Sequence, residues 1–246
     1  MRPGVGVSET LSLTGERTAP GIPSENYWFR RHVAAYRFAA RIVTGTVLDA
    51  GCGEGYGSAI LSRRAHRVVS LDLDRPTLTH ARQRYRSPSF VRGDVSDLPL
   101  ADSSVDAVVA LQVIEHLADA RGFLREARRT LRPGGPLVLT TPNRATFPGG
   151  LNPFHVHEYD AAELKELLGN AFDDVRMMGL AHGLGVRWLE RAIAEPIQQR
   201  LIRTPYPELP PALRVMLRAV SPKSFRVVPE AEGSLDLVAV CRSSKP

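Results

Sequence analysis

Cysteine is nearly missing from this chain. Cys52 and Cys241 are the only two in 246 residues and stand far apart, which excludes a disulfide framework and offers no zinc-ligand spacing. Long apolar runs are missing as well. No segment reaches the roughly 18 consecutive apolar residues of a membrane span, and no apolar run follows Arg2 as it would in a secretory leader. A cytoplasmic protein is therefore expected. Blocks of like charge are also lacking. The 32 lysines and arginines outnumber the 26 acids for a net charge of +6, but the arginines are scattered rather than gathered into a basic arm. No nucleic-acid partner is expected on that ground. What remains is ordinary globular composition, 43% hydrophobic and 24% charged, at a length that fits one large α/β domain with appendages.

The pattern along the chain is an alternation of strands and helices. Met1–Ser24 is rich in Gly, Pro, Ser and Thr and reads as an arm, and Glu25–Ile42 has helical spacing of its aromatic and apolar positions. Thr46–Cys52 is an apolar run that breaks into glycines, as a buried parallel strand does. Further strands are expected at Arg67–Asp74, Ser89–Val95, Val105–Val113 and Pro136–Thr141, with helices between them and Pro76 in the first turn of one. Such alternation predicts a parallel sheet covered on both faces. Asp160–Leu168 reads as a short helix capped by Asp160, and Asp174–Leu180 and Ser234–Cys241 as two late strands. The 50 or so residues between those strands are too long for a hairpin and read as an insertion. Four segments result: an arm and lid helix (1–45), a core (46–183), a helical insertion (184–226) and a final strand that completes the core (227–246).

Val47-Leu48-Asp49-Ala50-Gly51-Cys52-Gly53-Glu54-Gly55-Tyr56-Gly57 is the most informative segment. Glycines at a strand end let backbone approach a ligand, and the next helix offers free N–H groups. A dinucleotide fingerprint needs a glycine at position 56, which is tyrosine here, so that pattern fails. Asp49, two residues before the loop, suits a ligand with an ammonium group. Asp72 is placed to accept from a ribose diol, and Asp94 could meet the exocyclic amine of an adenine. Ammonium, ribose and adenine together describe S-adenosylmethionine.

From Thr46 to Asn143 the chain resembles the class I S-adenosylmethionine-dependent methyltransferases, on the glycine loop, Asp72, Gly93-Asp94 and Leu131-Arg132-Pro133-Gly134-Gly135. The resemblance implies a Rossmann-like α/β sheet with helices on both faces, an N-terminal helical lid and a helical insertion before the last strand. It implies cofactor contacts from Asp49, Gly51, Cys52, Gly53, Asp72, Leu73, Asp94, Val95 and Gln112.

Glu115 and His116 close the fourth strand, at the edge of a parallel sheet where ligands sit. Asn152-Pro153-Phe154-His155-Val156-His157-Glu158 forms a second polar cluster. A Glu-His pair with a later His resembles the metal site of the small-RNA 2′-O-methyltransferases and of some quinone O-methyltransferases. Those families carry a further glutamate three residues before the pair, where this chain has Gln112. Two readings stay open. Glu115, His116 and His155 could hold Mg²⁺ or Mn²⁺, or His116 or His155 could act as a general base for a hydroxyl, with Glu115 beside it. His157 reads as a surface histidine.

Glu16-Arg17, Glu25-Asn26-Tyr27-Trp28-Phe29-Arg30-Arg31-His32 and Tyr36 are dense in side chains that recognise hydroxylated or planar ligands. Arg17, Tyr27, Trp28, Arg31 and His32 are therefore expected to form an acceptor wall; the same helix can also dock on the sheet with Trp28 and Tyr36 in the core, and both readings can hold together. This signature, with Asn152-Pro153-Phe154-His155 and Gly233-Ser234-Leu235-Asp236-Leu237, resembles the methyltransferases of bacterial glycan assembly. These are the group of 3-O-methylmannose polysaccharide 1-O-methyltransferase and mycofactocin-oligosaccharide methyltransferase. The resemblance implies O-methylation of a sugar or oligosaccharide, and a homo-oligomer is open. The alternatives are a methyltransferase of a small aromatic or quinone-like metabolite, with the arginines of the insertion attracting an anionic substrate or surface, and a non-catalytic cofactor-binding subunit.

Overall fold

The computed structural model describes Thr18 and residues 20–146, 152–183 and 206–243. Helix α1 (Asn26–Ala39) leads into strand β1 (Thr46–Ala50), α2 (Tyr56–Leu61), β2 (Arg67–Asp72), α3 (Arg75–Arg84), β3 (Ser89–Arg92) and β4 (Ala107–Leu111). After a single 3₁₀ turn at Ile114–His116 come α4 (Ala120–Thr130), β5 (Pro136–Pro142), α5 (Ala161–Gly169) and β6 (Asp174–His182). Helix α6 (Pro211–Ala219), β7 (Phe225–Val228) and β8 (Asp236–Arg242) complete the described chain. The strands form one sheet in the order β3-β2-β1-β4-β5-β8-β6-β7. β1 to β5 are parallel, and β8 enters antiparallel between β5 and β6. This is the Rossmann-like α/β fold expected, with the reversal of strand order between β1 and β4 opening a crevice at the carboxyl edge.

Strand parity sorts the core into two layers. Leu48, Ala50, Val108, Ala110, Leu137 and Leu139 face α4 and α5 through Phe123, Leu124 and Leu164. Val47, Val109 and Val138 face the other way, onto Tyr36 of α1, Leu61 of α2 and Leu213 of α6. Local signals act as read: Asp160 Oδ1 accepts from the Glu163 N–H at 2.9 Å, capping α5, and Pro76 lies in the first turn of α3.

Three expectations need correction. The fourth strand ends at Leu111, because Gln112 turns into the left-handed region at φ 58°. The third strand ends at Arg92, short of Val95. There are also three late strands instead of two. β7 straddles the expected boundary at 226 and pairs antiparallel with β6, with Leu180 opposite Val227 and His182 opposite Phe225, so the end of the insertion is sheet edge. Of the insertion, 184–205 lie outside the described residues, as do residues 1–17 and 19 of the N-terminal arm.

Candidate active site

The crevice holds a cavity of about 220 Å³, bounded by the glycine loop, the ends of β2 and β4, and α1. Of the nine cofactor positions named from sequence, eight line it: Gly51, Cys52, Gly53, Asp72, Leu73, Asp94, Val95 and Gln112. The loop is built for close approach. Gly51 sits at φ 72°, and a Cβ there would fall 2.6 Å from Val113 Cγ2, so a side chain would be both strained and blocked. Asp72 shapes the floor: its Oδ2 accepts from the Gly53 N–H at 2.7 Å and its Oδ1 from the Asp74 N–H at 2.9 Å. Each carboxylate oxygen keeps a further lone pair for a diol. Leu73, 61% exposed, offers an apolar face beside it. Asp94 Oδ1 accepts from the Ser96 N–H at 2.8 Å. Burial pushes the Cys52 thiol far up, which makes it wall rather than nucleophile.

The ninth position, Asp49, requires a correction. It is fully buried beneath the loop, where Ser58 Oγ donates to it at 2.5 Å and the Tyr36 hydroxyl at 3.1 Å. Burial raises its pKa to about 7 against the pull of those two donors. It does not line the cavity; it ties α1 and α2 to the strand that carries the loop.

The proposed acceptor wall divides. His32 lines the cavity, its Nδ1 3.0 Å from the Tyr56 hydroxyl, which in turn lies 3.0 Å from Thr18 Oγ1. Withdrawal from solvent lowers its pKa to about 4, so it is neutral at pH 7. Arg31, Tyr27 and Trp28 do not line it. Arg31 is 2% exposed and forms a bidentate pair with Asp236 of β8, with its Nε 2.6 Å from Oδ2, and it also donates to the Leu235 carbonyl at 2.6 Å. Tyr27 is core, packed on Phe225, with its hydroxyl 2.9 Å from His182 Nε2. Trp28 packs edge-on against Tyr27, 5.3 Å from the Arg31 guanidinium. Their polar and aromatic character serves docking of α1. Arg17 lies outside the described residues.

Glu115, His116 and His155 come together as expected, with one donor atom from each inside 4.8 Å of the others. Their partners separate their roles. His116 lines the cavity, and its Nδ1 lies 2.9 Å from the Phe154 carbonyl oxygen. A carbonyl can only accept, so Nδ1 carries the hydrogen and the neutral ring has its lone pair on Nε2. His155 stands edge-on to it, ring centroids 5.0 Å apart. Asn152 Oδ1 accepts from the Phe154 N–H, which leaves Asn152 Nδ2 to donate to His155 Nε2 at 3.0 Å. His155 Nδ1 then donates to Glu158 Oε1 at 3.0 Å. Both its nitrogens are engaged. Glu115 is fully buried; Thr141 Oγ1 donates to its Oε2 at 3.0 Å, and its Oε1 has no hydrogen-bond partner among the described residues. Burial lifts its pKa to about 8, so it is largely a neutral acid at pH 7, behind the cavity wall.

Three residues were not singled out from sequence: Asp236, Asn152 and Glu158. Asp236 binds Arg31 and also accepts from Gln112 Nε2 at 3.2 Å, a bond that Nε2 shares with Thr140 Oγ1 at 3.2 Å. An acid inside Leu235-Asp236-Leu237-Val238 is itself the signal, since a buried charge in an apolar strand requires a partner. Asn152 and Glu158 were legible only as part of a polar cluster.

Comparison with known proteins places this geometry. Residues 48–139 match the model of a methyltransferase domain. A probable S-adenosylmethionine-dependent methyltransferase of Mycolicibacterium smegmatis is 45% identical over 245 residues, 94% of each chain. One of Mycobacterium tuberculosis is 42% identical over 246 residues, 94% of this chain and 89% of its own. A Thermotoga maritima methyltransferase structure, described as a possible histamine N-methyltransferase, superposes with a TM-score of 0.63 at 19% identity over 89% of this chain and 93% of that one, which speaks to fold alone. The chain belongs to the S-adenosylmethionine-dependent methyltransferases. Among the described residues no helix is long and apolar enough to cross a membrane.

Proposed function

We propose that the enzyme methylates a hydroxyl of a sugar or oligosaccharide by direct in-line displacement, with His116 as general base. The observation that carries this is that His116 lines the cofactor cavity with its ring fixed by the Nδ1–H bond to the Phe154 carbonyl, which makes Nε2 the basic nitrogen of the neutral imidazole. Bound S-adenosylmethionine supplies an activated methyl carbon on a sulfonium. The chain's own work is to cradle that ligand and to manage one proton. Gly51, Gly53, Asp72 and Asp94 line the cavity, where the glycines would let the ligand lie close to backbone, Asp72 would accept from its ribose and Asp94 from its adenine amine. An alcohol must lose its proton as it becomes an ether, and His116 Nε2 takes it. A carboxylate acceptor would need no base, so the fixed histidine favours an alcohol. The sugar assignment rests on the resemblance in Asn152–His155 and the α1 signature.

A resident cation does not fit the donors present. Both nitrogens of His155 are engaged, and position 112 is an amide that donates to Asp236. Mg²⁺ and Mn²⁺ want several anionic or neutral oxygens. A second reading has one observation in favour: Phe154 and Val156 are exposed near His116, apolar surface suited to a small aromatic acceptor. The test is to offer mannosides, glucosides and simple phenols with methyl-labelled cofactor, with and without excess chelator. Labelled sugar ether, undiminished by chelator, is expected. Label on phenols alone supports the second reading, and loss of activity in chelator overturns the metal-free mechanism.

A further inference from the structure

The run Asn152-Pro153-Phe154-His155 bears on the base itself, because the carbonyl that fixes His116 belongs to Phe154. Two successive peptide planes are involved, and Asn152 grips both. Its side-chain Oδ1 accepts from the Phe154 N–H at 3.0 Å, and its main-chain carbonyl accepts from the His155 N–H at 3.2 Å. Pro153 between them presets φ for a tight turn. A trans peptide holds its N–H and C=O on opposite sides. The His155 N–H points back to Asn152, so the Phe154 carbonyl of the same plane points away from it, to His116 Nδ1 at 2.9 Å.

The Asn152 amide is oriented in its turn. Buried Glu158 takes the His155 Nδ1 hydrogen at 3.0 Å, which makes His155 Nε2 an acceptor for Asn152 Nδ2 at 3.0 Å and turns Oδ1 to the Phe154 N–H. Downstream the segment is pinned by Glu115, whose carbonyl accepts from the Val156 and His157 N–H groups at 2.8 and 3.1 Å. Which nitrogen of an imidazole holds the hydrogen is set by the bond the other makes, and a ring with no such partner carries it mainly on Nε2. That is the nitrogen which must stay basic here. We infer that Asn152 is a positioning residue for the base: it aims the Phe154 carbonyl at His116 Nδ1 and so keeps the hydrogen off Nε2. The inference rests on the reading of His116 as the base and adds what sets its tautomer.

The test reads the His116 tautomer by ¹⁵N spectroscopy of histidine-labelled enzyme loaded with S-adenosylhomocysteine, at about pH 8, where an ordinary imidazole is neutral. His116→Ala assigns the signal. The wild type is expected to show the hydrogen on Nδ1. In Asn152→Ala it is expected to move largely to Nε2, whereas Asn152→Asp, whose carboxylate still accepts from the Phe154 N–H, keeps it on Nδ1. Single-turnover methyl transfer to methyl mannoside should fall about tenfold in Asn152→Ala, the worth of one lost hydrogen bond, and largely recover in Asn152→Asp. Added to His116→Ala, the alanine substitution should cost nothing further, because it acts through a ring already removed. A wild-type hydrogen on Nε2, an Nδ1 hydrogen that persists in Asn152→Ala, a loss that adds in full to that of His116→Ala, or equal losses in the alanine and aspartate variants would each overturn the inference. An undiminished rate in His116→Ala would overturn the base reading, and no wild-type transfer to methyl mannoside would tell against the sugar reading; in either case the tautomer in Asn152→Ala still decides what Asn152 does.

Discussion

Asp72 and Asp49 show how far single positions could be read. Both acids lie at or next to a strand end beside the glycine loop, and the resemblance implies cofactor contacts from both. Asp72 ends β2 and lines the cavity, with lone pairs to spare after accepting from Gly53 and Asp74. Replacing it with alanine should weaken binding of S-adenosylhomocysteine by roughly 1.5–3 kcal/mol, about ten- to a hundredfold, by calorimetry. Unchanged affinity would remove it from the site. Asp49 lies one residue inside β1, and parity turns it to the α1 side with Val47, toward Tyr36 and Ser58. Its burial predicts a pH signature. The folded chain keeps a proton on Asp49 from about pH 4 to about pH 7, which the unfolded chain releases, so stability falls as pH rises through that window. Asp49→Asn should remove up to about 1.4 kcal/mol per pH unit of that slope. Denaturant unfolding across the window, with the slope unaltered in the variant, would show that Asp49 titrates normally.

Helix α1 was legible as a helix that docks on the sheet, but of the wall expected on it His32 alone lines the cavity. Its aromatics and arginines are the same residues a ligand site would use, and sequence alone does not say which face of a helix meets a strand two hundred positions later. Asp236 decides it. The Arg31–Asp236 pair is buried on both sides, and Asp236 also holds Gln112, the strained residue at the end of β4. Removing one partner leaves an uncompensated buried charge, so Asp236→Ala should cost about 3–5 kcal/mol in denaturant unfolding. The paired change Arg31→Met with Asp236→Leu should recover most of it. If the double variant is no more stable than the single, packing rather than charge explains the loss. The β4 boundary was missed for a related reason: a left-handed glutamine carries no sequence signal, whereas Asp160 and Pro76 announced their helix ends.

At the scale of the whole molecule, the order of strands, helices and glycine loop was enough to give the class, because each local choice agrees with one parallel sheet. Strand β7 was not visible, since Phe225–Val228 is short, lies at the edge, and follows a segment of helical character. Pairing of Glu115, His116 and His155 was legible, but the division of labour among them was not, because it turns on Phe154, Asn152 and Glu158 as hydrogen-bond partners. That division is the centre of the mechanism. The most direct measurement is single-turnover methyl transfer to the sugar acceptor, at saturating cofactor, in His116→Ala against wild type. We expect the rate to fall by about 10²–10⁴-fold, the usual worth of a general base, with S-adenosylmethionine affinity within about twofold. An undiminished rate, or a loss accounted for by weaker cofactor binding, would contradict the role given to His116.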